Sequence, residues 1–374
     1  MAQPASDIII IGAGVIGSAI AYELARRGQR VTLIDRGPIG GEASWASAGI
    51  ISAPNRLDMR PERIEIGRRS LERYPSLVAE LEDQTGLAIE YRRPGELTVA
   101  VDLEHAEAER ARASWQRSHG FIVDELTPAD ARNFEPALPP VLAAAWFTPN
   151  VGSLSVHRLT RALANAAALL GATVLPDTPV GEVTSRDGRV DGVRLSDRVL
   201  PAETVVLATG AWTRFFGETL RVSLPTKPVK GQLIAFANAP ARPSHVIAGH
   251  GGYVRPRGDG TTLVAATEEE VGFDRRVTGE GVSWLLDLTR TLCPVLLQGE
   301  VVETWTGLRP GSDTREPLIG PVPGYQGLWV AAGHFRTGAK EAPATAELVA
   351  SSLLSGSVDA VLAPFAPPPV EPKR

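Results

Sequence analysis

The sequence predicts a mixed α/β protein, α+β overall, in two parts: one built on a parallel sheet and one on an antiparallel sheet. Three observations predict it. Residues 7–35 read as strand, glycine-rich turn, helix and strand, the order in which a parallel sheet begins. Similar α/β patterning returns near 150–210 and again at the C-terminal end. Between them, over roughly 224–270, lies a strand-rich stretch without helical periodicity.

The elements follow in order. Residues 7–11 are β-branched and end in Gly, as a buried strand does; 13–27 read as a helix closed by Gly28, and 30–34 as a second strand. Helices are expected over 62–86, 104–119 and 158–170, with strands over 95–101 and 173–175. A hairpin is expected from 189–195 and 198–207. A helix over 280–292, strands over 299–306 and 328–332, and a helix over 342–354 complete the pattern. The Pro-rich tail from Ala363 is expected to be poorly ordered. The resulting partition places 1–90, 150–223 and 324–374 in one discontinuous domain, and 91–149 with 224–323 in the other.

The 374 residues, 43% of them hydrophobic, can bury a large core. A formal net charge of −5 argues against nucleic acid as a partner. The single cysteine, Cys293, rules out an intrachain disulfide and a Cys-based zinc site, and fits a reducing compartment. No His/Cys/Asp cluster shows ligand spacing along the chain, so no metal is expected. No apolar run reaches membrane-span length and no signal-type segment opens the chain, so a cytoplasmic protein is expected.

Gly12-Ala13-Gly14-Val15-Ile16-Gly17 matches G-x-G-x-x-G. Gly12 permits the tight turn, Gly14 lets a phosphate approach the backbone, and Gly17 lets the helix pack on the strand. The helix N-terminus offers N–H groups and partial positive charge to a pyrophosphate. Asp35, at the end of the second strand, can accept hydrogen bonds from a ribose diol. Strand, helix and acid stand in the required context, which makes this a Rossmann-like dinucleotide site. The motif alone does not separate FAD from NAD. Gly40 to Ser44 and Ser47 to Ile50 form a small-residue loop able to lie against a cofactor.

Taken together, the motifs resemble the D-amino-acid oxidase superfamily, and within it the bacterial glycine oxidases of the thiamine-pathway type. The resemblance spans roughly 7–354. It is carried by the turn, by Ser44-Trp45-Ala46-Ser47-Ala48-Gly49-Ile50, and by Thr178-Pro179-Val180. Leu207-Ala208-Thr209-Gly210-Ala211-Trp212 and Pro228-Val229-Lys230-Gly231-Gln232 follow. The last are Tyr253-Val254-Arg255-Pro256-Arg257, Gly307-Leu308-Arg309-Pro310-Gly311 and Gly333-His334-Phe335-Arg336-Thr337-Gly338. The resemblance implies an FAD-binding domain and a substrate-binding domain with the flavin ring between them. It implies FAD contacts at Gly12, Gly14, Val15, Ile16, Gly17, Asp35, Arg36, Ala43, Ser44, Ala48, Gly49 and Ile50. Val180 and Gly210 are expected to join them, with His334, Phe335, Arg336, Thr337 and Gly338 near the ring. It implies a small amino-acid or amine substrate, oxygen as acceptor, hydrogen peroxide as product, a role in thiamine biosynthesis and a homo-oligomer.

Oxidation at flavin N5 asks the protein for orientation rather than for a nucleophile. Arg309 is the leading candidate, because a guanidinium fork binds a carboxylate through two parallel hydrogen bonds. Its competing role is a structural ion pair. Tyr253 can add a hydroxyl, Arg336 can bind substrate or tune the flavin, and His334 is read as a cofactor neighbour rather than a base. His157 and His250 are taken as structural. The related monomeric sarcosine oxidases carry flavin on a cysteine near the position of Trp305-Thr306-Gly307; no cysteine stands there, so the resemblance implies non-covalent FAD.

Lys340 and Glu341 depart from the aliphatic residues usual after the Arg336 motif. A buried unpaired charge is costly, so each is expected to find a partner or solvent. Lys340 beside the flavin would favour negative charge on its reduced ring. Three other activities compete: a dehydrogenase passing electrons to a quinone or partner protein, a non-catalytic FAD-binding subunit, and an NAD-dependent dehydrogenase.

Overall fold

The structure, a computed structural model, describes residues 7–369. Its first sheet has six strands, ordered Leu318–Pro321, Leu328–Ala332, Thr204–Leu207, Ile8–Ile11, Val31–Ile34 and Thr173–Leu175. The pairings are parallel except between the first two strands. Successive side chains of a strand point to opposite faces, and the all-isoleucine strand Ile8–Ile11 therefore feeds two cores. Ile8 and Ile10 pack under the helices Val15–Arg26, Pro61–Thr85, Val156–Leu169 and Gly338–Ser355. Ile9 and Ile11 meet Val183, Val190, Val193 and Leu200 of a three-stranded antiparallel sheet on the other face. Leu318–Pro321 belongs to this six-stranded sheet, on the far side of the boundary expected at 323.

The second sheet has eight strands, ordered Glu300–Ser312, Thr226–Ala237, Thr262–Ala265, Gly252–Pro256, Val246–Gly249, Glu96–Ala100, Ala144–Thr148 and Asp124–Leu126. Its pairings are antiparallel apart from Val246–Gly249 on Glu96–Ala100. One face packs on Leu285, Leu288 and Leu292 of the helix Gly279–Leu292. The opposite face carries Tyr253, Leu233 and Ala265 toward the first sheet's loops, where Ala48 meets them.

Three expectations are corrected. The strand expected over 299–306 runs on to Ser312, so it includes Arg309. It pairs antiparallel with Thr226–Ala237 with Pro310 opposite Pro228; neither proline has an N–H, and the Pro310 carbonyl accepts instead from Phe335 N at 2.8 Å. The Pro-rich tail forms a short 3-10 turn, Ala363–Phe365, whose Phe365 is buried against the helical layer. Residues 370–374 of that tail lie outside the described residues.

The closing helix starts at Gly338 rather than at 342. Proline lacks an N–H, so Pro343 leaves the carbonyl of Ala339, four residues earlier, without its helical donor. The buried Tyr74 hydroxyl donates to that carbonyl instead. Tyr74→Phe is therefore expected to cost about 1–3 kcal/mol, the penalty for a buried acceptor left unpaired. Chemical denaturation at constant m-value measures it, and an unchanged midpoint would show the contact to be idle.

Candidate active site

A cleft of about 710 Å³ runs between the glycine turn and the inner face of the second sheet. At one end stands the N-terminus of Val15–Arg26, which has no side-chain cap. Gly12 has φ +104°, and a Cβ there would fall 2.4 Å from the Ala208 carbonyl oxygen. The turn is built on Asp35, whose Oδ2 accepts from Ala13 N at 2.7 Å and Oδ1 from Gly37 N at 2.9 Å. Burial raises the Asp35 pKa and these two amides oppose the rise. Each oxygen keeps acceptor capacity toward the cleft. Ser44 Oγ accepts from Val15 N at 2.9 Å, tying the small-residue loop to the helix start.

Gly12, Gly14, Val15, Ile16, Asp35 and Arg36 line the cleft, as do Ala43, Ser44, Ala48, Gly49, Ile50, Val180 and Gly210. The stretch from His334 to Gly338 lines it too, with Tyr253 and Arg309. Gly17 does not. It lies beneath the turn, where a Cβ would be 1.9 Å from the Gly12 carbonyl oxygen, so its service is packing. The cleft, with a glycine N-cap at its helix start, a tight glycine turn and a half-free carboxylate, suits a dinucleotide carrying a planar ring.

Arg309 reaches across Gly231, where even a Cβ would come within 2.4 Å of the guanidinium. Its Nη1 donates to the carbonyls of Thr267 at 3.0 Å and Lys230 at 3.4 Å. No carboxylate lies within 4.0 Å of it among the described residues, which removes the structural ion pair as its role. Burial holds its pKa below the usual arginine value. Arg336 is exposed and 3.4 Å from Glu268. His334 is buried, and burial with the Arg63 charge pushes its pKa down to about 3. It is a neutral ring with Nε2 3.3 Å from Thr345 Oγ1.

Sequence reasoning missed Arg63. This buried guanidinium bonds Glu341 Oε1 at 2.9 Å, Glu316 Oε2 at 3.1 Å and Thr337 Oγ1 at 2.8 Å. It also donates to the carbonyls of Arg315 at 2.6 Å and His334 at 3.4 Å. The expected partner of Glu341 is thus Arg63. Among the described residues Lys340 finds only a neutral partner, the hydroxyl of Ser52. It is half-buried and lines the cleft with Ser52, Glu96 and Arg112. Burial lowers its pKa to about 8, opposed by Glu96.

The fold also gathers Asp102, His105 and His250, whose ligand atoms lie within 4.8 Å of one another, a cluster that spacing along the chain did not reveal. Local bonding accounts for it. His105 Nδ1 is 2.9 Å from Asp102, the cap of its own helix, and His250 Nε2 accepts from Val101 N at 3.2 Å. The two ring centroids lie 3.9 Å apart with the planes tilted by 31°. Cys293 is buried in the second sheet's core and does not line the cleft. No helix among the described residues is long and apolar enough to cross a membrane.

Comparison with known proteins agrees with the cleft. Residues 7–352 match the family model DAO, FAD dependent oxidoreductase. The chain is 35% identical to glycine oxidase of Geobacillus kaustophilus strain HTA426, over 96% of each chain. It is 32% identical to the bifunctional protein ThiO/ThiG of Trichormus variabilis, over 96% of this chain and 54% of that one. The crystal structure of glycine oxidase from Bacillus cereus ATCC 14579 superposes with a TM-score of 0.91 at 30% identity, covering 98% of this chain and 100% of the other.

Proposed function

Because the chain belongs to the DAO family of FAD-dependent oxidoreductases, we propose that it oxidises the amine of glycine, sarcosine or another small amino acid, D-amino acids included, whose carboxylate Arg309 holds. The observation that carries this reading is a cleft-lining guanidinium with no carboxylate of its own. A bidentate pair with substrate supplies the missing anion and fixes orientation in the plane of the fork.

The remaining roles follow from position. The Tyr253 hydroxyl has no protein partner among the described residues and shares the cleft with Arg309, so it adds a third hydrogen bond to the carboxylate. Arg336 stands at the rim, tethered by Glu268, and steers the anion inward. The turn from Gly12 to Ile16, Asp35, Arg36, the loop through Ser44 and Ile50, Val180 and Gly210 hold FAD without a covalent bond. His334 to Gly338 flank its ring. The parallel-sheet part is then the FAD domain and the eight-stranded sheet the substrate wall.

When bound there, FAD would supply the acceptor for the Cα hydride and the route by which two electrons reach oxygen as hydrogen peroxide. The substrate also loses a proton from nitrogen, leaving an imine that water hydrolyses to a 2-oxo acid and ammonia, or methylamine from sarcosine. The likeness to a ThiO/ThiG protein supports a place in thiamine biosynthesis.

Anaerobic mixing of the purified yellow protein with glycine, sarcosine, D-alanine and D-proline tests the reading. Bleaching of the flavin absorbance by at least one is expected, followed by recovery and peroxide on admitting air. Bleaching without oxygen turnover would transfer the reading to a dehydrogenase, and no bleaching would end it.

A further inference from the structure

We propose that the preferred substrate carries a second carboxylate, beyond the one held at Arg309, and that Lys340 receives it. The proposal rests on the reading above and narrows its substrate class.

A census of charges in the cleft leads there. Arg36, Arg56, Arg63, Arg112, Arg315 and Arg336 line it, and each has a carboxylate within 4.0 Å. Among the described residues, the two cleft-lining Lys and Arg side chains left without one are Arg309 and Lys340. Arg309 matches the single carboxylate that every amino acid has. Lys340 is surplus to that need. It stands on the first turn of Gly338–Ser355 and, among the described residues, donates only to the Ser52 hydroxyl.

The nearby acids are engaged elsewhere. Glu96 accepts from the Thr98 hydroxyl at 3.4 Å, and Glu109 pairs with Arg112. Glu96 acts on Lys340 through space, keeping the ammonium protonated against burial without reaching it. Arg309, Arg336 and Lys340 all line this one cleft.

A half-buried ammonium with a neutral partner has lost hydration without recovering it in an ion pair. Glycine would leave it so. An amino or imino acid with a second carboxylate on a short aliphatic arm supplies the partner, and the bond is charge-assisted on both sides. Ser52 then orients the ammonium rather than neutralising it.

Titration of the FAD-loaded protein with acetate and succinate, followed by perturbation of the flavin absorbance, separates the second carboxylate from the first. Succinate is expected to bind about tenfold tighter than acetate, the factor for one hydrogen bond to a charged group. Lys340→Met should remove that advantage and Lys340→Arg should restore part of it. In turnover, kcat/KM for D-aspartate relative to D-alanine should fall by the same factor in Lys340→Met. Equal affinity of the wild-type protein for the two probes would overturn the proposal, whether or not a variant folds. So would a succinate preference that survives Lys340→Met. Neither probe is oxidised, so the titration remains readable even if no amine reduces the flavin, and the two readings fail separately.

Discussion

Replacing Arg309 with methionine is expected to lower kcat/KM for glycine by about 100-fold or more, the loss of a bidentate charge-assisted pair worth roughly 3 kcal/mol. The melting temperature should stay level or rise. These two expectations share one cause. In the free protein the guanidinium is burdened by burial and, among the described residues, bonds only the carbonyls of Thr267 and Lys230, with no anion to repay its desolvation. Methionine gives up those two bonds but also removes the buried charge, and it fills a similar volume above Gly231. The site thus holds an arrangement that only substrate completes, as functional sites commonly do at some expense in stability. The FAD contacts proposed above lie elsewhere in the cleft, so the flavin spectrum should be retained. Steady-state kinetics alongside a thermal melt decide the matter. A fall in activity matched by a fall in melting temperature would make Arg309 structural instead.

How much of this was legible beforehand depended on distance along the chain. The turn from Gly12 to Gly17 was readable because its constraint is local: a tight bend, a helix start and an acid 18 residues after Gly17. The strand Ile8–Ile11 was readable because an unbroken β-branched run suits a sheet buried on both faces. Arg309 stood out as a candidate carboxylate fork, but its place on a strand did not. Gly-Leu-Arg-Pro-Gly has the composition of a loop, and only the pairing with Thr226–Ala237 makes it strand. Lys340 and Glu341 were visible as oddities whose answers lay far away, at Ser52 and Arg63. Neither partner has a local signature: Arg63 sits in a helix rich in arginine, where one buried among exposed neighbours cannot be told apart. The Asp102, His105 and His250 cluster was hidden for the same reason, since a loop joining two strands delivers His250 to a distant helix cap.

The second large effect belongs to Arg63 and Glu341. Both side chains are 2% exposed, and their 2.9 Å contact joins the helices Pro61–Thr85 and Gly338–Ser355. Removing one member leaves the other as an uncompensated buried charge, so Arg63→Met is expected to destabilise the protein by about 3–5 kcal/mol. Glu341→Leu alone should cost less, because Glu316 still neutralises Arg63. The double substitution Arg63→Met with Glu341→Leu removes both charges and should recover most of the loss, since an apolar pair of similar volume pays no desolvation. A double-mutant cycle in urea measures this, and additive losses would deny the coupling. Stability would not recover everything the pair provides. Arg63 also holds the Thr337 hydroxyl and the His334 carbonyl, which belong to the segment lining the cleft. A stable double variant that releases FAD faster than the wild type would show that the ion pair also sets the segment flanking the flavin. Unchanged FAD release would confine its role to joining the two helices.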